Sequence, residues 1–222
     1  MNQPLVTAIC PTVCPAQDRF DLLRAAISQF QHQDYQNKEL IILYTGTPGA
    51  GKLLTEDPAI FHIGICSGEP LGEKRNIGCG LARGEIICHW DDDDWYFPQR
   101  ISGQVQALFD SGADVTGYGD MLFADPADQF AVRYDNHLSN YVVGTSLMYR
   151  KSYWQEHQFD PRAFSEDNDF VRLIPEGKLH VKTGDQIVAR LHVQQTCTRP
   201  RKAYYHGDPW QVVAWPADAR LK

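Results

Sequence analysis

GEKRNIGCGLARGEIICHWDDDDWYFPQRI, residues 72–101, is the stretch on which the reading of the chain turns. Its first part reads as a helix from Glu73 to Arg83, which Gly84 ends, because glycine accepts the backbone turn at a helix C-terminus. EIICHW then reads as a buried strand that runs straight into Asp91, Asp92, Asp93 and Asp94. Four adjacent carboxylates repel one another, so a folded chain must neutralise them. Pro98 opens a further helix, where its missing N–H would have had no intrahelical partner in any case. Ile101, Val105 and Leu108 give that helix an apolar face, and Gly112 closes it.

Working outward, LVTAIC at 5–10 reads as a short buried strand that stops at Pro11. Phe20, Leu23, Ile27 and Phe30 recur at helical spacing, with Asp18 as the N-cap. ELIILY at 39–44 and IFHIGI at 60–65 read as two more strands. Up to residue 118 the elements alternate, which predicts an α/β fold with a mostly parallel sheet and helices on both faces. Ligands in such sheets bind beyond the C-terminal ends of the strands, where the aspartates stand.

The second half is less regular. DMLFAD and QFAVRY pattern as an antiparallel pair, followed by VVGTSLMYR and a short helix near 151–157. A helix is expected over Glu166–Leu173 and a strand over DQIVARLH, 185–192. The tail, 198–222, is broken by Pro200, Pro209 and Pro216 and is expected to wrap the domain.

Composition narrows the class. The 222 residues are 43% hydrophobic and 22% charged, ordinary for a soluble globular protein and enough for one sizeable domain. A formal net charge of -7 gives no electrostatic reason to expect nucleic acid as a partner. The six cysteines form no Cys-x-x-Cys pair and no zinc-finger spacing; Cys10, Cys66 and Cys88 sit in or beside apolar runs and read as reduced, buried thiols. There is no signal-peptide pattern at the start and no apolar run of membrane-spanning length. A cytoplasmic location is expected, with peripheral membrane contact still possible and the oligomeric state not legible.

Two stretches carry candidate chemistry. GTPGAGK, 46–52, follows a strand and fits most of a phosphate-binding P-loop, which would make EIICHWD the magnesium-holding strand of a kinase or NTPase. Leu53 stands where the metal-ligating hydroxyl belongs, and Pro58 cuts short the helix that should face the phosphates, so a surface turn is the better reading. The aspartate run is the stronger candidate. Magnesium and similar hard cations bind through one or two carboxylates plus substrate phosphates. On an extended segment Asp91 and Asp93 share a face while Asp92 and Asp94 point elsewhere. The plain alternative is an acidic turn beside the Pro98 helix N-terminus, which accounts for Asp94 alone.

Taken in order, these stretches resemble the family 2 glycosyltransferases of the GT-A fold. The quoted segment is similar to the family's Arg-Asn helix, Ala-x-Gly-Glu, apolar strand, Asp-x-Asp-Asp and Pro-led helix. VTAICPT and DYQNKELIIL resemble the first two strands, GTSLMYRKSYWQEHQFD the acceptor-side segment, FSEDNDF its acidic pair, and VARLHVQQT the late strand with a histidine. The resemblance covers residues 4–196. It implies one GT-A-like domain over 1–222: a nucleotide-sugar half (1–118), an acceptor and catalytic half (119–197) and a tail (198–222).

The resemblance also implies roles. Asp91 and Asp93 become the Asp-x-Asp that holds donor ribose and a Mn2+ or Mg2+ on the donor diphosphate, with His192 near the metal. Asp92, Lys74, Arg75, Pro11 and Thr12 join the donor side. Asp167 becomes the catalytic base, with Glu166 and Trp95 on the acceptor side. The implied reaction moves one sugar from a nucleotide-sugar donor to a glycan or other hydroxyl-bearing acceptor, with inversion. Trp90 and Tyr96 would stack on a sugar or pack in the core.

Tyr44-Thr45 replaces the family's usual acid after the second strand and Cys14 its usual Asn, which leaves the donor base open. No Gln-x-x-Arg-Trp occurs, which argues against a processive polysaccharide synthase. A nucleotidyltransferase and a non-catalytic sugar-nucleotide or glycan-binding relative remain as rivals.

Overall fold

The computed structural model describes residues 3–13, 17–45, 55–65, 68–135, 140–192 and 210–216. GTPGAGK, Cys14, Cys66, Cys197 and most of the tail therefore lie outside the described residues.

The first half alternates strands and helices: β1 (Val6–Val13), α1 (Gln17–Gln31), β2 (Lys38–Thr45), β3 (Ile60–Ile65), α2 (Leu71–Leu81) and β4 (Ile86–His89). The order β4-β1-β2-β3 is parallel throughout. These strands read as nearly continuous apolar runs because both of their faces are covered. Val6, Ala8, Cys10, Leu40 and Ile42 pack on Leu23, Ile27 and Phe30 of α1. Their neighbours Ile9, Ile41 and Leu43 pack on Cys79 and Ala82. Each such apolar side chain contributes about 1.5–3 kcal/mol by leaving water.

The chain continues through β5 (Trp95–Tyr96), α3 (Arg100–Ser111), β6 (Val115–Tyr118), β7 (Asp120–Asp125), β8 (Phe130–Asp135), a 3-10 turn at Gly144–Ser146 and β9 (Met148–Arg150). It ends with α4 (Lys151–Glu156), α5 (Glu166–Arg172), β10 (Leu179–Lys182), β11 (Ile187–Arg190) and β12 (Trp210–Val213). A seven-stranded sheet has the order β10-β6-β9-β4-β1-β2-β3, and a five-stranded sheet the order β12-β8-β7-β11-β5. Among the described strands of the larger sheet, only β9 runs antiparallel to its neighbours. Helices α1 and α3 cover one face of it and α2, α4 and α5 the other. The fold is thus the expected α/β arrangement.

Several boundaries differ from expectation. β1 does not stop at Pro11 but continues to Val13. Ile9 accepts a hydrogen bond from Trp90 N–H on the β4 side, so by alternation Pro11 also faces that side, where β4 has ended at His89. The missing N–H therefore removes no sheet bond. α1 begins at Gln17, which puts Asp18 inside the first turn rather than at the cap. α2 ends at Leu81, and Gly84 serves a different need: a Cβ there would lie 2.7 Å from the Leu5 carbonyl oxygen and 2.6 Å from Thr7 Oγ1. Gly112 does adopt the left-handed turn that closes α3, with φ 66°. β5 and β10 were not expected; at two and four residues they carry too little pattern to be read.

Candidate active site

Asp91–Asp94 connect the end of β4 in the larger sheet to the start of β5 in the smaller one. They open onto a cavity of about 530 Å3, within the usual range for small-molecule sites. Exposure alternates along the run: Asp91 and Asp93 are partly exposed, whereas Asp92 and Asp94 are buried. Residues 92–94 form a turn and bend rather than the expected extended segment, yet the alternation still leaves Asp91 and Asp93 the more open to a ligand.

Each carboxylate is neutralised differently. Arg19 of α1 bridges two of them, at 2.6 Å from Asp92 and 3.1 Å from Asp93. Thr12 donates its hydroxyl to Asp92 from behind. Burial, reinforced by the charge of Asp93, pushes the Asp92 carboxyl up to about 7. Asp93 goes the other way: burial alone would raise it, but His192, whose Nε2 lies 3.0 Å from its Oδ2, and Arg19 together hold it below the usual carboxylate range. Asp94 accepts hydrogen bonds from Thr145 Oγ1 at 2.6 Å and from the Arg190 N–H at 3.0 Å. Burial and the neighbouring acids push it well up. It is therefore not a cap for the Pro98 helix, the role that the plain acidic-turn reading gave it. Asp91 meets Arg75 at 3.4 Å.

Arg75 ties this loop to α5. Its Nε donates to Glu166 at 3.0 Å, and its buried Nη1 has no hydrogen-bond partner among the described residues. Burial raises Glu166 despite Arg75. Asp167, the next residue, lines the cavity and lies over Gly144, where a Cβ would fall 1.7 Å from its Oδ2. Ser165 precedes the pair in the left-handed region, φ 63°, and its hydroxyl does not cap α5. Strained backbone of this kind at a cavity mouth is characteristic of functional segments.

Of the residues expected in the site, Pro11, Arg75, Asp91, Asp92, Asp93, Glu166 and Asp167 line one cavity. His192 joins them through Asp93. Three do not fit. Thr12 is buried and supports Asp92 rather than facing the cavity. Lys74 is buried in α2 away from the lining, and desolvation lowers its ammonium although Asp92 and Glu69 oppose this. Trp95 is buried under Arg190, whose guanidinium lies 3.8 Å from its ring centroid, so it has no face left for an acceptor. Trp90 and Tyr96 stack on each other at 4.0 Å in the core. The Tyr96 hydroxyl also fastens the loop, accepting from the Asp91 N–H at 2.6 Å.

Arg19, Thr145 and Arg190 line the cavity without having been expected there. Arg190 had a readable signal, since in the expected strand 185–192 it falls on the same face as His192, two residues on.

The residues present fit a divalent ion. Asp93 offers a hard oxygen and His192 a nitrogen, a set that manganese accepts and magnesium can share when phosphates complete it. Among the described residues no group of three or more His, Cys, Asp or Glu side chains forms a self-sufficient metal cage. Such an ion would therefore depend on ligand phosphates for the rest of its shell. No helix among the described residues is long and apolar enough to cross a membrane.

The model of the family described as "Glycosyl transferase family 2" matches residues 12–164. The "Putative colanic acid biosynthesis glycosyl transferase WcaA" of Escherichia coli (strain K12) is 33% identical over 106 residues, 46% of this chain and 37% of that protein. An "Uncharacterized glycosyltransferase" of Rickettsia felis is 24% identical over 221 residues, 86% of this chain and 35% of that protein. This chain spans little more than a third of the length of either relative.

Among solved structures, S. aureus TarS 1-349 in complex with UDP-GlcNAc gives a TM-score of 0.67 at 13% identity, covering 86% of this chain and 60% of that one. The mannosyltransferase PcManGT from Pyrobaculum calidifontis, in complex with GDP-Man and Mn2+, gives 0.65 at 18%, covering 92% and 59%. Likeness at these identities carries the fold, which is GT-A.

Proposed function

The chain belongs to the family 2 glycosyltransferases, and from that premise we propose that its cavity transfers a sugar from a nucleotide-diphosphate donor to an acceptor hydroxyl with inversion. The observation that carries the proposal is the convergence of Asp91, Asp93, Arg75 and Asp167 on one cavity at the C-terminal ends of β1 and β4. Asp91 and Arg75 face the donor. Asp93 and His192 would hold Mn2+ or Mg2+, which when bound supplies positive charge to the departing diphosphate.

Asp167 accepts the proton of the acceptor hydroxyl as that oxygen bonds to the donor's anomeric carbon. The bond from that carbon to the diphosphate oxygen breaks, and the nucleoside diphosphate leaves. One base opposite one leaving group means a single displacement, and a single displacement inverts the sugar carbon. Arg75 couples the two sides, because the guanidinium that meets Asp91 also holds Glu166, the residue before the base. We place this chemistry in a single domain spanning 1–222.

A thermal-shift screen of nucleotide sugars with and without Mn2+ tests the proposal. One donor class should stabilise the protein in a metal-dependent way. Stabilisation by ATP with Mg2+ and by no nucleotide sugar would sink it.

A further inference from the structure

Six consecutive residues, 163–168, wall one side of the cavity, and Asp167 stands among them. Five of them are small or polar. The other, Phe164, is a phenyl ring that is 61% exposed at the cavity's edge. Among the described residues no ring or cation contact covers it. A lone exposed apolar side chain is ordinary on a protein surface. This one differs in where it stands and in how firmly its backbone is held.

Residues 160–165 are exposed without a break, so the segment has no apolar packing of its own to shape it. Helix α2 supplies the shape instead. Asn76 Oδ1 accepts from the Phe159 N–H at 3.0 Å, and its Nδ2 donates to the Phe159 carbonyl at 2.8 Å. One turn earlier, the Gly72 N–H donates to the Arg162 carbonyl at 3.0 Å. A Cβ on Gly72 would fall 2.0 Å from the Asp160 carbonyl oxygen, so the segment lies against the helix backbone itself. Arg162 also pairs with Asp169 of α5 at 2.6 Å, and Arg75 holds the far end through Glu166. Ser165, at φ 63°, turns the chain between the ring and the acid pair. Phe164 therefore sits on a backbone fixed at both ends, three residues before the base. Because that backbone is already fixed, covering the ring orders little more than its own side chain.

An acceptor that brings a hydroxyl to Asp167 has the rest of its body along this wall, since Asp91, Asp93 and Arg75 take the donor. It meets there an apolar ring bordered by the polar residues Ser165 and Asn168. A pyranose has the matching form: its C–H face lies on a ring while its hydroxyls reach the polar groups beside it. A bare alkyl chain would match the ring but strip water from those polar neighbours without replacing it.

We infer that Phe164 is an acceptor-specificity residue, whose exposed face takes the C–H face of the acceptor's pyranose while a hydroxyl of that acceptor points toward Asp167. The inference rests on the transferase reading of the same cavity.

Fluorine NMR on the full chain labelled with 4-fluorophenylalanine tests it. The Phe164 resonance is identified by its absence from Phe164→Ala, a surface substitution that should leave the circular dichroism native. Phe164→Leu, apolar but without a ring, repeats the measurement should Phe164→Ala fail to fold. Methyl glucoside, methyl galactoside and methyl mannoside are the probes, with hexanol as the purely apolar control. At least one pyranoside should shift the Phe164 resonance saturably. Binding of that pyranoside, read by saturation-transfer NMR, should weaken about threefold to tenfold in Phe164→Ala and persist in Phe164→Trp. A Phe164 resonance that no pyranoside moves, undiminished binding in the folded variants, or a shift with hexanol alone would each overturn the inference.

Stabilisation by nucleotide sugars, measured in parallel, separates the two readings. If a nucleotide sugar stabilises the protein but no pyranoside reaches Phe164, the subsite fails and the transferase stands. If pyranosides reach Phe164 while no nucleotide sugar stabilises the protein, the transferase reading fails and the sugar contact stands. Donor stabilisation lost in Phe164→Ala would move the ring to the donor side and overturn the inference.

Discussion

Asp92 and Asp93 are adjacent in sequence and share one guanidinium, yet their carboxyls shift in opposite directions. Asp92 is 1% exposed, so burial dominates and favours its neutral form. Asp93 keeps an opening to the cavity and gains His192 besides Arg19, so its ionised form is favoured. A metal ligand must be ionised, which makes Asp93 the better ligand of the two. Asp93→Ala should therefore remove the Mn2+-dependent part of donor stabilisation, read by thermal shift, while metal-independent nucleotide binding persists. Asp167→Asn should leave donor stabilisation intact and lower transfer by about 10²–10⁴-fold, the usual contribution of a general base. Transfer retained at the wild-type rate would remove Asp167 from that role.

At this scale the acids were legible in the sequence, because acids placed at the end of an apolar strand mark a ligand-binding edge. Their cationic partners were not. Arg19 is 73 residues from Asp92 and Arg190 is 97 residues from Asp93, and only the fold brings them together. The direction of Lys74 was not legible either, since a charged residue on a helix does not disclose which way the helix turns it.

Among the elements, the 3-10 turn Gly144–Ser146 ties the acid loop to the core around it. The Gly144 carbonyl accepts from buried His89 at 2.8 Å. The Thr145 hydroxyl reaches Asp94, and its carbonyl accepts from Arg100 at 3.2 Å. Ser146 is held by Gln104 at its carbonyl and binds the Tyr118 N–H at 2.8 Å through its hydroxyl. The turn thus fixes the spacing between the acid loop and the base. Gly144→Ala would drive a methyl into Asp167, and transfer should fall about 10²-fold with donor stabilisation preserved, as expected for a misplacement of order 1 Å.

Arg100, on α3, is fully buried and pairs with no carboxylate among the described residues. Its guanidinium lies beside the stacked rings of Trp90 and Tyr96, 5.0 and 4.8 Å from their centroids. Arg100→Ala should destabilise the protein by about 3 kcal/mol, measured by denaturant unfolding, because both rings and the Thr145 carbonyl lose their partner. GTSLMYR gave no hint of the turn, since its residues pattern as a strand and the turn is set by tertiary bonds from β4, α3, β6 and the acid loop.

For the molecule as a whole, ionisation sets an alkaline limit. Burial pushes Tyr35, Tyr118 and Tyr153 up to about 12 from the ordinary 10, and the Tyr118 and Tyr153 hydroxyls have no hydrogen-bond partner among the described residues. These groups stay protonated in the folded chain while the unfolded chain ionises near 10. Their contribution to stability is therefore full below that pH and lost as pH rises to about 12. Their phenolate absorbance should appear together with loss of circular dichroism; phenolates formed in a chain with native dichroism would contradict the burial.

The fold class and the succession of strands and helices along the first half were readable because both-face burial writes continuous apolar runs. The second sheet was only partly so, since it is assembled from strands of two to six residues drawn from distant parts of the chain. The chain passes from one sheet to the other through the four aspartates, and β11 of the smaller sheet grips that passage by Arg190 and leads into His192. The acid loop is therefore a seam as well as a site. Prising the sheets apart dismantles the acid cluster, and by linkage whatever holds the cluster together resists the prising. Occupancy should be felt as cohesion between halves of the molecule, with amides on both sides of the seam opening more rarely than either sheet's own packing would allow.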